Sequence, residues 1–551
     1  METDQKNSTY FNLLDEPWIL VRNKHGGTEE LSVLQVFRRA HELVCLDCEL
    51  PIQNIAILRF LLAIVYAVFT RVDEHGESAP LVDFDVSEQR SEALRRWKAL
   101  WDMPELPYTV IEQYLEFYRD RFWLKHPTQP FYQVAGLTTS DGSVRDISLL
   151  MLDVPSQDRR LFSLRFDSGP GVLTASEAAR LLITFQAWDI AGLKSSIKDS
   201  LGNSGDRYPS GTGWLGKLGI VFINEAIFAD TLLMNFVLLF EDERLLPFGI
   251  PIWEEPLKTA LKLDLHPNGY IDLLTLQSRR MLLSFDDEAV TGYIYSYGDI
   301  VDSKNMIVEQ MTAWYTKSIS KTETVLLPST HKIGRSIWRD LSSLLPLASD
   351  NSGNKKTAGI VNWLRILKDS RLFNNSTVNL SAVGVIYGTQ NSVIEETIDD
   401  ELMMNSGLFA TLSQQWVTRI IDSLGKTEEC INQLGFLARK IAQASGSSDG
   451  ISEKDNARES AYDSFDNQFR RWLVSIDPEV DDMKERMLEW KSITQETVIR
   501  LGTELYMSTN SQAIVGRIDD KGLNTAAPFA FMQFRGAINT IMKNWKEDKN
   551  E

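Results

Sequence analysis

A chain of 551 residues that is 43% hydrophobic and 24% charged has ordinary globular composition, with room for two to four domains and a large core. Its formal net charge of −19 makes a surface that repels phosphate as a whole, whereas a freestanding DNA binder that ignores sequence carries the opposite sign. Either the protein does not touch nucleic acid, or it does so through small local patches while partner subunits supply the positive field. The three cysteines, Cys45, Cys48 and Cys430, are too sparse for a disulfide scaffold and point to a reducing compartment, the cytoplasm.

Residues 1–10 are polar and lack the apolar core of a secretory signal. Residues 11–22 read as a strand, Gly26-Gly27 as a turn and residues 30–33 as a returning strand. A helical pattern runs from 32 to 41. Residues 51–72 form a long helix that is apolar on most faces. Its most apolar part, 55–69, is shorter than a membrane span and is interrupted by Arg59, so a buried helix and no membrane is expected. Amphipathic helices follow at 90–101, 110–122 and 176–188, the last with Ser176 as N-cap and Glu177 in the first turn. Residues 201–213 and 348–359 are rich in Gly, Ser, Asn and Asp and read as mobile loops. Between them come a strand at 215–223, a helix at 230–240 and mixed short runs over 257–297, including 270–276 and 291–297. A strand is expected at 383–387. From 405 strand signals vanish. Helical patterns run over 407–445 with a break near Gly425, then 457–476, 482–507 and 526–545, joined by a polar linker at 446–455 and a connection at Pro478. The expected fold class is α+β: a large mixed domain over 1–404 and an antiparallel four-helix bundle over 405–551.

Few motifs carry chemistry. Gly211-Thr212-Gly213-Trp214-Leu215-Gly216 matches the dinucleotide spacing G-x-G-x-x-G. The strand before it and the helix after it are missing, so it reads as a flexible loop rather than a cofactor site. Cys45-Leu46-Asp47-Cys48 has His41 nearby but no fourth zinc ligand, so two half-buried thiols are expected and no metal. The acidic runs 286–288, 399–401 and 481–482 lack the accompanying groups of a two-metal nuclease and read as loops or helix starts. Basic-aromatic stretches at 159–166, 332–339 and 469–472 can meet unstacked bases or an RNA backbone, or can equally alternate between core and surface.

Two stretches are more specific. Phe11-Asn12-Leu13-Leu14-Asp15-Glu16-Pro17-Trp18-Ile19-Leu20-Val21-Arg22 and His126-Pro127-Thr128-Gln129-Pro130-Phe131-Tyr132-Gln133-Val134 together resemble the signature of the CasA-type large subunit of Cascade, the type I-E CRISPR surveillance complex. The texture of 147–153, 173–193 and 231–236 fits as well. The resemblance implies a non-catalytic subunit without cofactor, active in antiviral defence. It implies binding to CRISPR RNA and to double-stranded target DNA, whose protospacer-adjacent motif (PAM) is read mostly from the minor groove. It implies partnership with backbone, small and handle-binding subunits and with a recruited helicase-nuclease. By position, Gln390 corresponds to the family's duplex-opening wedge, flanked by Thr389 and Asn391 in a β-hairpin and followed by an acidic helical segment. The PAM-contacting loop falls on 191–196, where only Gly192 of the family's glycine run is kept and Lys194, with Ser195, is expected to supply a contact. Lys304 is the candidate minor-groove lysine. The guide-RNA handle contact falls on 159–166, naming Arg160, Phe162, Arg165 and Phe166. In the bundle Arg439, Lys440, Arg470 and Arg471 are candidates for DNA or partner contact.

The rival readings are a helical scaffold that binds proteins only and a cofactor-dependent enzyme built on 211–216.

Overall fold

The computed structural model describes residues 9–152, 171–320, 323–345, 355–518 and 524–545. The chain folds as two compact units. The first comprises Met1–Ile333, Asp350–Leu372 and Asn379–Glu401; the second comprises Gly334–Ser349, Phe373–Val378 and Leu402–Glu551. The second therefore takes in two segments that precede the boundary drawn at 405.

The first unit is organised around helix Pro51–Phe69, which starts on a proline in the first turn, where a missing N–H does no harm. Nearly every side chain on it is buried, as its apolarity on most faces requires. Arg59 does not break it. Its guanidinium is 2% exposed and forks onto both carboxylate oxygens of Glu309 at 2.8 Å, while Trp214 Nε1 donates to the same carboxylate at 2.9 Å. A buried charge is tolerable only when paired and fully hydrogen-bonded in this way.

Helix Ala175–Trp188 packs against this core helix. Its N-cap is Thr174 rather than Ser176: Thr174 and Glu177 form a reciprocal capping box. Ser176 instead donates to Glu30 at 2.7 Å. Arg180 joins the helix to the N-terminal sheet (strands Ile19–Asn23, Thr28–Leu31 and Leu43–Leu46) by pairing with Glu30 at 2.7 Å and Glu49 at 2.8 Å.

Both signature stretches serve the fold, the first pairing with the strand that leads into the second. Strand Tyr10–Asn12 runs antiparallel to Trp123–Lys125, and Trp18 Nε1 donates to the Leu13 carbonyl at 3.0 Å. The Val134 amide donates to the Met281 carbonyl at 2.9 Å, and Gln133 Oε1 accepts from the Leu283 amide at 2.8 Å. Both bonds tie the second stretch to strand Arg279–Asp286, the partner of Ala289–Tyr297.

Several expectations shift. Residues 215–223 divide into a 3₁₀ turn, Leu215–Lys217, and a strand, Ile220–Ile223. The 230–240 helix is the shorter Phe228–Met234, and 270–276 forms helix Tyr270–Leu274. Most consequentially, strand 383–387 is the end of Thr377–Tyr387, which with Ile394–Asn405 forms two strands of a sheet completed by Ile220–Ile223. The acidic run Asp399-Asp400-Glu401 thus lies in a strand, not in a loop or helix, because its alternate positions face outward.

In the second unit, helices Gln414–Ser445, Ile451–Ser475, Met483–Met507 and Ala527–Asn544 form the helical region. Gly425 does not interrupt the first. An interior glycine costs about 1 kcal/mol, and the buried stripe Ser423, Thr427, Cys430, Ile431 and Leu434 outweighs it. Trp472 and Trp490 stack at 5.0 Å, with Phe465 and Phe469 closing the aromatic core. At Gly502 a Cβ would stand 2.3 Å from Phe534, so that glycine sets how closely two helices approach.

Candidate nucleic-acid interface

The turn joining Thr377–Tyr387 to Ile394–Asn405 is closed by bonds from the Gly388 amide to the Val393 carbonyl and from the Asn391 amide to the Gly388 carbonyl, each 2.9 Å. Its tip, Thr389, Gln390 and Asn391, is exposed. Gln390 and Asn391 both have φ +56°, consecutive left-handed residues without being glycine. Each costs about 1 kcal/mol or more, the kind of strain that collects at working sites.

The loop after helix Ala175–Trp188 lies directly beside this tip. The Ala191 amide donates to the Asn391 carbonyl at 2.8 Å, and Tyr387 Oη donates to the Trp188 carbonyl at 2.6 Å. Gly192, the expected wedge Gln390 and their neighbours are therefore one continuous surface within the first unit. Gly192 has φ +123° and accepts from Tyr297 Oη at 2.7 Å; a Cβ there would meet nothing within 4 Å. The glycine is needed for its backbone conformation, and the space outside it is open to a close-approaching ligand.

Lys194 departs from expectation. Its side chain is 1% exposed and its ammonium pairs with Asp189 at 2.7 Å, between the rings of Tyr295 and Tyr297. Arg279 pairs with the same carboxylate at 2.5 Å and also donates to the Gly211 carbonyl at 3.0 Å. Burial pulls the Lys194 ammonium down to about 8 against the opposing pull of Asp189. Burial opposes ionisation of Asp189 too, but Lys194 and Arg279 outweigh it and hold the carboxyl below its ordinary value. Lys194 is an internal strut and does not reach outward. Ser195 is half-buried, and its Oγ accepts from Arg145 Nε at 3.4 Å.

The glycines at 211–216 pack the same assembly from below. A Cβ on Gly213 would stand 2.3 Å from the Ala187 carbonyl oxygen, and one on Gly216 would stand 2.4 Å from Tyr387 Oη. The Gly213 amide donates to the Asp189 carbonyl at 2.9 Å. A short 3₁₀ turn, Leu215–Lys217, rather than a helix stands at the end of this run, so these glycines pack helix end, loop and hairpin together and present no helix N-terminus of the kind a pyrophosphate site uses.

The remaining candidates scatter. Lys304 is exposed, 3.6 Å from Asp302, in a turn before Trp314–Ser318. Arg160, Phe162, Arg165 and Phe166 lie outside the described residues. In the second unit most of the named cations are committed to internal bonds: Arg439 donates to the Asp449 carbonyl at 2.9 Å, Lys440 to Gln533, and Arg470 to Asp466 at 2.8 Å. Arg471 is exposed. In the 332–339 stretch, Trp338 donates to Asp466 at 2.7 Å and Arg339 lies 3.4 Å over the Tyr462 ring, which makes both part of the packing. Among the described residues no group of three His, Cys, Asp or Glu side chains is placed to hold a metal. Burial pushes the Cys48 thiol up to about 12, and His41 faces Glu105 at 3.4 Å.

Sequence reasoning missed Arg207 and Tyr208. Both are exposed, and the Arg207 carbonyl accepts from the Lys194 amide at 3.0 Å. The basic-aromatic step was visible, but the glycines and serines around it suggested only a mobile loop. In fact the loop is anchored, with the Asp206 carbonyl accepting from Ser296 Oγ at 2.8 Å.

Comparison with known proteins gives consistent likenesses. A model of the family described as CRISPR-associated protein Cse1 matches residues 12–501. The CRISPR-associated protein CasA/Cse1 of Thermus thermophilus is 27% identical over 455 residues, 79% of this chain and 78% of that one. The crystal structure of Thermobifida fusca Cse1 superposes with a TM-score of 0.84 at 30% identity, covering 98% of this chain and 99% of that chain. A chain of a CRISPR RNA-guided surveillance complex shares the fold, with a TM-score of 0.70 at 16% identity over 97% of this chain and 100% of that chain.

Proposed function

Since this chain belongs to the family of CRISPR-associated protein Cse1 (CasA), we propose that it is the large, non-catalytic subunit of a cytoplasmic type I-E Cascade, in which it reads the PAM and opens the DNA duplex. The observation that carries this reading is the bond between the Asn391 carbonyl and the Ala191 amide, which sets the hairpin tip beside the open Gly192 loop. A surface that reads a groove and parts the strands needs backbone that can approach closely and a planar polar side chain that can slide under a base pair. Gly192 supplies the first and Gln390 the second. Unstacking one step costs a few kcal/mol, which pairing with CRISPR RNA and contacts to the backbone offset.

The acidity follows from assembly. Backbone, small and handle-binding subunits neutralise most phosphates, while this subunit contributes short contacts. Lys304 remains the candidate minor-groove lysine, residues 159–166 the candidate handle contact and Arg471 a candidate bundle contact. Recruitment of the helicase-nuclease belongs to the same reading.

The test uses the assembled complex and a PAM duplex carrying a fluorescent base analogue beside the PAM. Gln390→Ala is expected to slow duplex opening at least ~10-fold, about 1.4 kcal/mol, while binding to a pre-opened bubble is unchanged. Normal opening by the variant contradicts the wedge and favours a scaffold that binds only proteins.

A further inference from the structure

Lys194, the cation that the sequence offers to the loop surface built by Gly192 and Gln390, is spent internally. Lys194 pairs with Asp189, as does Arg279, and Lys262 pairs with Asp206. Arg207 is different. It makes no ion pair among the described residues, and its side chain is exposed. Its backbone is nevertheless fixed on both sides. The Arg207 carbonyl accepts from the Lys194 amide at 3.0 Å, and the preceding Asp206 carbonyl accepts from Ser296 Oγ at 2.8 Å and from the Tyr297 amide at 3.3 Å. Asp206 Oδ1 also accepts from the Tyr208 amide at 2.9 Å. Tyr208 is 68% exposed, with its ring centroid 5.9 Å from the Arg207 guanidinium carbon.

We propose that Arg207, with Tyr208 beside it, is the cationic grip of this surface and holds a backbone phosphate of the duplex whose PAM the neighbouring loop reads. The assignment rests on the function proposed above. A guanidinium suits the task because its planar fork can bond two phosphate oxygens at once and is weakly hydrated, so little is lost on docking. An exposed aromatic ring beside it packs on sugar and limits the rotamers the arginine must abandon. The buried strut beneath sets the position. Lys194 donates its amide to Arg207 while its ammonium is locked onto Asp189, so the residue that seemed to be the contact instead aims the residue that is.

A phosphate contact has a signature distinct from base reading: it strengthens binding to every sequence alike and adds to the salt dependence. In the assembled complex, Arg207→Ala is expected to weaken binding about fivefold for duplexes with and without a PAM, leaving their ratio unchanged. The slope of log affinity against log salt is expected to fall in magnitude by about 0.9. Arg207→Lys keeps the charge and is expected to restore most of the slope. Unchanged affinity and slope in Arg207→Ala overturn the proposal, as does a changed PAM ratio with an unchanged slope, which is the mark of base reading. Gln390→Ala, measured in parallel, separates the two levels. If it impairs duplex opening while Arg207→Ala binds normally, only the phosphate grip fails. If both variants behave as the parent, the reading of the whole surface fails.

Discussion

Glu225 shows how a single carboxyl can be tuned by place alone. Burial, with Asp230 close by, pushes it up from an ordinary 4.5 to about 7, and its Oε1 is buried without a hydrogen-bond partner. Between those values the folded chain holds a proton that the unfolded chain has released. The group's contribution therefore falls as pH rises from about 4.5 to 7 and stays low above. Glu225→Gln removes the penalty. Denaturant titrations are expected to show the variant on the order of 1–2 kcal/mol more stable than the parent at pH 8 and little different at pH 5. Equal stabilisation at both values would show that the carboxyl ionises freely. Gly213 makes the opposite kind of demand. Alanine there would put a Cβ 2.3 Å from the Ala187 carbonyl oxygen, so Gly213→Ala is expected to lose at least about 2 kcal/mol and to loosen the Gly192 loop, read by faster amide exchange over residues 190–196. No sequence pattern distinguishes that glycine from a turn glycine, because the demand comes from a helix end 26 residues earlier.

The hairpin is held to the helix end by one side chain. Tyr387→Phe deletes the 2.6 Å bond to the Trp188 carbonyl but keeps the ring. A stability loss of about 1–2 kcal/mol is expected, since a buried carbonyl is left unpaired. Exchange at residues 387–393 should rise with it; unchanged exchange would mean that the Asn391–Ala191 bond alone holds the tip. The helices were readable because long apolar periodicity is a strong local signal, as in 482–507 against the observed Met483–Met507. The hairpin's second strand was not. Glu395, Glu396, Asp399, Asp400 and Glu401 have low strand propensity, and only the pairing with Thr377–Tyr387 makes them extended. The break expected at Gly425 failed for the complementary reason, local propensity being overruled by packing on both sides of it.

A molecule of net charge −19 that acts on DNA in the way proposed must delegate most of its electrostatics. Family membership was legible in residues 11–22 and 126–134, yet those stretches build the scaffold and, among the described residues, make no hydrogen bond to the Gly192 loop or to the hairpin tip. The candidate surface was legible only where positional resemblance pointed, at Gly192 and Gln390, whose loops the fold sets side by side. Lys194 turns inward because burial is a property of the folded chain, whereas the exposed Arg207 was passed over because the glycines and serines around it suggest only a mobile loop. The most direct test of the arrangement places a photo-crosslinking residue at position 390 of the full complex, bound to a PAM duplex. Adducts confined to the base pairs adjoining the PAM are the expected result. Efficient crosslinking to protein subunits with no DNA adduct would contradict it.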